Sequence, residues 1–324
     1  LPRLLQEAAE LIVIRLLSES LTFSMMALVL AAWIALTLRP TPLRAGLVLA
    51  AMLVWTFTRD SNAYVVVAVG ALVLLTLLDA RHRPLKVALA AGCVVIYGAS
   101  FASAEAGKRW LLPTKDIVFR RVLETPEMSG YFADHGHPVV GNWTLEPWLE
   151  RARSVYAGYL LRNPGYVLTA PFHGRQEALY STPDNRTALF SPDLSLYNTN
   201  EGLGFLRPPR EIAKFMFPRD LLTLFALVAG AVLLAAAVAI RAGPLPVWVV
   251  PAGLLLTTYP HMLAAWHFSG YEVDRHALQA SLLLRLGAFL MILVAIDRLV
   301  ATERERRRAR RNRRGLADHP SAQA

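Results

Sequence analysis

The sequence predicts an all-α integral membrane protein with about seven transmembrane helices and a partly helical extracytoplasmic loop domain. Hydrophobic residues make up 55% of the 324-residue chain, and its mean hydropathy is +0.38. Soluble domains rarely combine so apolar a composition with long stretches free of charge. The apolar residues collect in runs close to the length of roughly 20 residues that a helix needs to cross a bilayer. Composition and run length therefore give the same fold class.

Four predicted spans precede the loop domain and three follow it. In chain order they cover residues 20–38, 45–58, 63–78, 87–103, 221–240, 247–268 and 282–300. Residues 1–17 are amphipathic and predict an interfacial helix. The chain thus divides into residues 1–103 with the interfacial helix and four spans, 104–219 with the loop domain, 220–300 with three spans, and 301–324 with a basic tail.

The Lys and Arg residues of the short connections predict the orientation. Residues 39–44 hold two Lys or Arg residues, 80–86 hold three and 241–246 hold one, and all three connections fall on the same side as the tail if the seven spans alternate. The opposite short connections hold one basic residue each, Arg59 and Arg275. Because short cytoplasmic connections collect Lys and Arg, the tail is predicted to be cytoplasmic and residues 104–219 extracytoplasmic, in a cell membrane.

The tail itself carries nine Lys and Arg residues between Arg298 and Arg314. A basic segment directly after an apolar helix favours contact with anionic membrane lipid, so no nucleic-acid partner is predicted.

The loop domain must be held together by packing, since Cys93 is the single cysteine and lies in an apolar run. Residues 116–123 and 145–162 have helical character, and residues 174–209 are rich in Ser, Asn, Asp, Pro and Gly and predict irregular structure. We expect a small aromatic core, with an interfacial aromatic belt as the alternative. Its members are Tyr131, Phe132, Trp143, Trp148, Tyr156, Tyr159 and Tyr166.

Polar side chains at the extracytoplasmic helix ends form the best candidate site. These residues are Glu19, Arg59, Asp60, Asn62, Glu272, Asp274, Arg275 and His276. Two more ionisable residues, His261 and Arg285, lie within predicted spans, and Pro260 is expected to kink the helix beside His261. Charged residues inside a membrane usually face a cavity and serve a function. The alternative is that the loop residues form turns and helix caps, that Arg285 extends to the surface, and that His261 bonds a neighbouring helix.

Asp134, His135 and His137 are the densest group of potential metal ligands. Their side chains suit Zn²⁺ or Mn²⁺, but the H-x-H pair of His135 and His137 has no obvious third and fourth ligand, so a polar turn is the simpler interpretation. No cofactor is evident. The chain contains no phosphate-binding glycine loop and no H-E-x-x-H sequence, which argues against a nucleotide-driven pump and a zinc protease.

Several short sequences resemble the downstream portion of polytopic GT-C type glycosyltransferases and related uncharacterised bacterial membrane proteins. They are Leu17-Ser18-Glu19-Ser20-Leu21, Arg59-Asp60-Ser61-Asn62-Ala63-Tyr64, Phe119-Arg120-Arg121-Val122-Leu123, Tyr131-Phe132, His137-Pro138 and Glu272-Val273-Asp274-Arg275-His276. The resemblance is one of layout and covers most of the chain.

The resemblance implies an enzyme that uses a polyprenyl-phosphate-linked sugar on the outer face of the membrane. In such enzymes the base is an acidic residue of the first outer loop, which would precede Leu1, so the chain is expected to lack that catalytic part. The available carboxylates are Asp60, Glu272 and Asp274. The available groups for binding substrate are Glu19, Arg59, Asn62, Arg275, His276 and Arg285.

Two other classes of function stay open. A transporter or lipid-handling protein would use His261 and Arg285 as contacts for its substrate within the membrane. A structural protein would use the loop domain to bind a partner in the cell envelope.

Overall fold

A computed structural model gives the fold, and it describes residues 21–139, 146–174, 221–243, 246–268 and 273–317. Every regular element within these ranges is helical. The α-helices are α1 Leu21–Leu38, α2 Pro42–Thr58, α3 Asp60–Leu75, α4 Arg83–Ala106, α5 Leu111–Ile117, α6 Pro126–Asp134, α7 Glu146–Arg162, α8 Pro164–Gly174, α9 Leu221–Ala242, α10 Val249–Phe268 and α11 Val273–Ala317. Short 3₁₀ turns at Thr76–Leu78 and Pro246–Trp248 extend α3 and precede α10, and a π-helical turn at Val118–Val122 follows α5.

The predicted membrane class is confirmed. Six helices of the described chain are long and apolar enough to cross a bilayer, namely α1, α3, α4, α9, α10 and α11. The remaining predicted span, at residues 45–58, corresponds to α2, which is apolar but has only 17 residues. At 1.5 Å per residue it is about 25 Å long, shorter than the hydrocarbon core of about 30 Å. It begins at Pro42, where the hydroxyl of Thr41 accepts a hydrogen bond from the backbone amide of Arg44.

One end of the helical bundle is basic. Here α1, α3 and α9 end, and a cation from another helix bonds a backbone carbonyl in the last turn of each or just past it. Arg44 donates to the carbonyl of Ala35 over 2.6 Å, and Lys86 donates to the carbonyl of Thr76 over 2.7 Å. Arg298 donates to the carbonyl of Ala242. We call this the basic end.

The loop domain contacts the opposite end of the bundle. We call its described part, residues 107–139 and 146–174, the insert, and that end of the bundle the insert end. Asp60 lies 3.2 Å from Arg109, and Glu105 lies 2.5 Å from Arg153. Lys108 of the insert also pairs with Glu146. In addition, α5 and α8 pack directly against α10.

The insert has its own core, as the sequence predicts. The buried residues of this core are Ile117, Val118, Val122, Met128, Phe132, Ala152, Tyr156 and Tyr159. Partly buried aromatic residues pack against it, namely Tyr131, Trp148 and Tyr166. The core therefore contains six of the seven aromatic residues expected there. Trp143, the seventh, lies outside the described residues.

The insert contains more helix than predicted. The expected helix at 116–123 is divided between α5 and the π-helical turn, and the helix expected at 145–162 is α7. Two further helices, α6 and α8, begin at Pro126 and Pro164. Proline suits the first helical turn because its missing N–H has no partner there in any case. Residues 175–209, predicted to be irregular, lie outside the described part of the chain.

Candidate functional site

A cavity of about 350 Å³ lies between α1, α2, α3, α10 and α11, and it is partly open because its lining residues Leu75, Val249 and Leu256 are exposed. Its lining is almost wholly apolar and includes Met26, Trp55, Val65, Thr76, Thr257 and Leu283. Along α3 it extends from Val65 to Thr76, a rise of about 16 Å. This apolar slot occupies the part of the bundle towards the basic end, and its size falls at the lower end of the range for ligand pockets.

Three buried polar residues stand directly above the slot on the side of the insert end. His261 follows the lining residue Thr257 by four residues, Gln279 precedes Leu283 by four, and Asn62 precedes Val65 by three. Residues three or four apart lie on the same face of a helix. Each of the three is therefore one turn above the slot on the face that lines it. All three have 0% of their surface exposed. We call Asn62, His261 and Gln279 the polar tier.

The packing of α10 on α11 puts two members of the tier at the same height. Gly287 contacts α10 so closely that an added Cβ would lie 2.9 Å from Leu255 Cδ2. From this contact His261 is six residues and Gln279 eight residues nearer the insert end. At 1.5 Å per residue, the two side chains differ in height by about 3 Å.

The tier holds several polar atoms that no hydrogen bond satisfies within the described chain. Asn62 Nδ2 donates to the Trp55 carbonyl over 2.9 Å, but Asn62 Oδ1 has no partner there. Within the described chain, both ring nitrogens of His261 and both amide atoms of Gln279 also lack a hydrogen-bond partner. The same is true of Trp55 Nε1 beside them. Buried polar atoms are usually paired, so a cluster of unsatisfied ones indicates a place where something binds.

Arg59 and Asp60 form a rim above the tier. Arg59 lies between α2 and α3 with an extended backbone, which turns the chain from one helix into the next. It lies three residues before Asn62 of the tier. The Asp60 carboxylate is held 3.2 Å from Arg109 of the insert. The rim thus joins a cation and a carboxylate at the insert end, about one turn above Asn62.

The structure describes the other predicted site residues only in part or not at all. Asp274, Arg275 and His276 belong to the first turn of α11, at the insert end, and their side chains lie outside what the structure describes. Glu19 and Glu272 lie outside the described residues altogether. The structure thus brings Arg59, Asp60 and Asn62 together and leaves these five residues as predictions.

Arg285 occupies a different face of α11. It is 1% exposed and donates to the Ser281 carbonyl over 3.0 Å and to the Ser281 hydroxyl. Because it is two residues beyond Leu283, it lies about 200° around the helix from the slot. Arg285 does not line the slot, and the expected convergence of Arg285 with Arg59 is not visible in the described chain.

The two histidines considered as metal ligands, His135 and His137, bond protein groups. His137 Nε2 lies 2.9 Å from the Trp148 carbonyl, and its ring stacks on that indole at 4.0 Å. His135 bonds the Tyr131 carbonyl and Arg162. Within the described ranges, no three His, Cys, Asp or Glu side chains are grouped to hold a metal. The turn at residues 134–137 therefore serves to pack the insert.

Gln279 and Trp55 are the site residues that the sequence did not single out. Gln279 lies just before the apolar run predicted as the last span, which was assigned to 282–300, and α11 begins nine residues earlier at Val273. The feature of the sequence that could have indicated Gln279 is a neutral polar residue one turn before an apolar helix face. Trp55 was indistinguishable from an ordinary apolar residue of a span.

No protein-family model matches the chain, and no curated protein or solved structure matches it either.

Proposed function

We propose that the protein binds a polyprenyl-phosphate-linked sugar at the insert end, as a glycosyltransferase-like protein or as a non-catalytic relative of one. The observation that carries this proposal is the rim, where Arg59 and Asp60 stand side by side above the polar tier of a membrane-embedded bundle. A lipid phosphate needs a cation at the boundary between apolar and aqueous surroundings, and Arg59 is at such a boundary.

The surroundings of Arg59 suit a lipid in the bilayer. Val54 and Phe57, which precede it on α2, have about half of their surface exposed. A hydrocarbon chain can therefore lie along this face while the phosphate reaches the guanidinium above. Arginine suits this role because its planar group donates two parallel hydrogen bonds to phosphate oxygens. Arg275 and His276, in the first turn of α11, are the further cations of this proposal.

Glycosyl transfer at the rim would use a carboxylate and a cation together. The acceptor hydroxyl gives its proton to the carboxylate, and its oxygen forms a bond to the anomeric carbon of the sugar. The bond from that carbon to the phosphate oxygen breaks, and the cations stabilise the leaving lipid phosphate. Asp60 is the carboxylate with a described position, and Arg109 holds it in place. Glu272 and Asp274 are the alternatives.

Lipid-phosphate binding provides the test. The purified chain in lipid nanodiscs should bind geranylgeranyl phosphate, measured with the radiolabelled compound against empty nanodiscs. Arg59→Ala should weaken binding about 10- to 150-fold, since a hydrogen bond to a charged group contributes about 1.5–3 kcal/mol. Arg59→Lys should restore part of the loss, because the ammonium keeps the charge without the planar fork.

Arg83→Ala, at the exposed basic end, is the matched control and should bind as the unchanged chain does. Binding that does not change in Arg59→Ala would refute the phosphate site. The catalytic part of the proposal is tested separately by Asp60→Asn, which should abolish sugar transfer and leave phosphate binding within about twofold.

A lipid-translocating protein is the second candidate, favoured by the burial of Arg285 within a span at 1% exposure. Charged residues at such depth mark pathways through membranes in many transporters. Reconstituted vesicles with a fluorescent lipid in one leaflet would show transfer between leaflets that Arg285→Met removes. The absence of any transfer above protein-free vesicles would exclude this candidate.

A further inference from the structure

We propose that the apolar slot and the polar tier together bind a single-chain lipid alcohol, with the chain in the slot and the hydroxyl group at the tier. This site is separate from the rim, where the lipid phosphate was placed, and it does not rest on the function proposed there. It is formed by α2, α3, α10 and α11, with α1 closing one side of the slot.

The slot determines that the occupant is a hydrocarbon chain. Its lining is almost wholly apolar, and it is elongated along the bundle axis, from Val65 to Thr76 of α3. A volume of about 350 Å³ is sufficient for one hydrocarbon chain. Inside a bilayer the lipid tails are as apolar as this lining, so the chain is held by van der Waals contact with the slot side chains.

The tier determines that the head of this lipid both donates and accepts hydrogen bonds. Among the residues that the structure describes, no partner is found for the donors Trp55 Nε1 and Gln279 Nε2 or for the acceptors Asn62 Oδ1 and Gln279 Oε1. His261 adds one of each, because neutral imidazole has one N–H and one acceptor nitrogen.

A hydroxyl group matches such a mixed set, whereas an ionised phosphate only accepts. A phosphate in the tier would leave the oxygens of Asn62 and Gln279 without donors, in addition to burying its charge. The same argument excludes a carboxylate head, so a fatty acid is a poorer occupant than the corresponding alcohol.

The unsatisfied atoms also predict how variants of the tier behave. A buried polar group without a partner lowers stability, and an apolar side chain of similar size removes that cost. Gln279→Leu and His261→Leu should therefore raise the thermal unfolding temperature of the protein without ligand. If these residues only held the helices together, both substitutions would lower it. Higher stability combined with lost binding is the pattern of a functional site.

Photolabelling tests the proposal directly. The full chain in nanodiscs is irradiated with dodecanol that carries a diazirine at the end of its chain, and the labelled peptides are identified by mass spectrometry. Label is expected on slot residues near the basic end, around Thr76 and Val249. Unlabelled dodecanol should compete, and dodecane and dodecyl phosphate should compete at least fivefold less well. Gln279→Leu should reduce the label about two- to tenfold, the range for one neutral hydrogen bond of 0.5–1.5 kcal/mol.

Thr37→Val is the matched control, because the Thr37 hydroxyl bonds the carbonyl of Ile34 on α1 and does not line the slot. It should keep full labelling. Three results would overturn the proposal: label spread over lipid-facing residues, equal competition by dodecane or dodecyl phosphate, or unchanged labelling in Gln279→Leu together with a lower unfolding temperature. Because the photolabel carries neither a phosphate nor a sugar, its labelling of the slot is independent of the function proposed for the rim.

Discussion

At the scale of single residues, Pro171 explains why the insert is attached to α10 where it is. Proline has no N–H, so the carbonyl four residues earlier, that of Val167, loses its donor within α8. His267 of α10 lies with its Nε2 2.9 Å from this same carbonyl. Next to the proline defect, Tyr259 donates to the Leu168 carbonyl over 2.5 Å. A defect in one helix thus becomes the point at which another helix docks.

This pairing predicts a coupling between His267 and Pro171. His267→Ala should destabilise the protein by about 1 kcal/mol, because it removes the donor from the Val167 carbonyl. In a Pro171→Ala background the same substitution should cost less, since the introduced alanine supplies the N–H that the helix lacked. A double-mutant cycle of unfolding free energies measures this difference. Equal costs in both backgrounds would show that His267 does not act through the carbonyl freed by Pro171.

The surroundings of His137 predict how the stability of the insert changes with pH. Burial lowers the pKa of His137, and the charge of Arg151 lowers it further, against the raising effect of the hydrogen bond to the Trp148 carbonyl. Below pH 6.5, the ordinary value for histidine, the unfolded chain therefore binds more protons than the folded chain. The free energy of unfolding should fall as the pH drops through this value, and it should be fully regained above it.

Thermal unfolding between pH 5 and pH 8 checks this expectation. His137→Phe should flatten the pH dependence, at a cost of about 1 kcal/mol for the lost hydrogen bond to the carbonyl. His135→Phe, at an exposed position of the same turn, should keep the dependence of the unchanged protein. A dependence that survives in His137→Phe would assign it to another group.

At the scale of helices, the basic connections have a structural role as well as a topological one. The last carbonyls of a helix have no partner within it and carry a partial negative charge. At the basic end, Arg44, Lys86 and Arg298 each donate to a carbonyl close to the end of α1, α3 or α9. The carbonyls of Ala35 and Thr76 also accept from the backbone amides of Arg39 and Asp79, so these cations act mainly on the partial negative charge of the helix end. The cations that favour a cytoplasmic location for these segments therefore also cap the helices that end there.

Removal of one cap should destabilise the bundle. Lys86→Met keeps the aliphatic stem but loses the bonds to the Thr76 and Asp79 carbonyls, and we expect a loss of about 1 kcal/mol. Arg83→Met removes an exposed cation from the same helix and should change stability by less than about 0.5 kcal/mol. Unfolding of both variants in a mild detergent measures the difference. Equal effects would mean that charge alone, and not the cap, matters at this end.

The sequence predicted helices well where an apolar face ran for several turns, and poorly where short helices depend on the core around them. The spans and α7 fall in the first class. The short helices α6 and α8 fall in the second, since Pro126 and Pro164 are equally typical of turns and of the first residue of a helix. The candidate site divides in the same way. Arg59 and Asp60 stood out by charge, whereas Gln279 and Trp55 became visible only when packing showed which face of each helix lines the slot.

At the scale of the whole molecule, the two ends of the bundle carry different features. The insert end carries the rim and the insert, and the basic end carries the capping cations and the extension of α11. The slot and tier lie between them, with the polar tier towards the insert end. A lipid bound here has only one orientation, with its head towards the insert. The side on which the insert lies therefore determines the leaflet from which the lipid head is reached.

Topology is the remaining prediction, and it decides the side on which any reaction takes place. The four basic segments predict that the basic end is cytoplasmic and the insert extracytoplasmic. Cys93 is buried, with its Cβ close to Gly70, so a Cys93→Ala background should stay folded and free of native thiols. Single cysteines at Asn142 and Asn185 should react with a membrane-impermeant maleimide in intact cells. Cysteines at Arg81 and Glu305 should react only after the membrane is opened. The reverse pattern would keep the fold, the slot and the tier, but it would place the rim on the cytoplasmic face, where no sugar donor of the outer leaflet can reach Arg59.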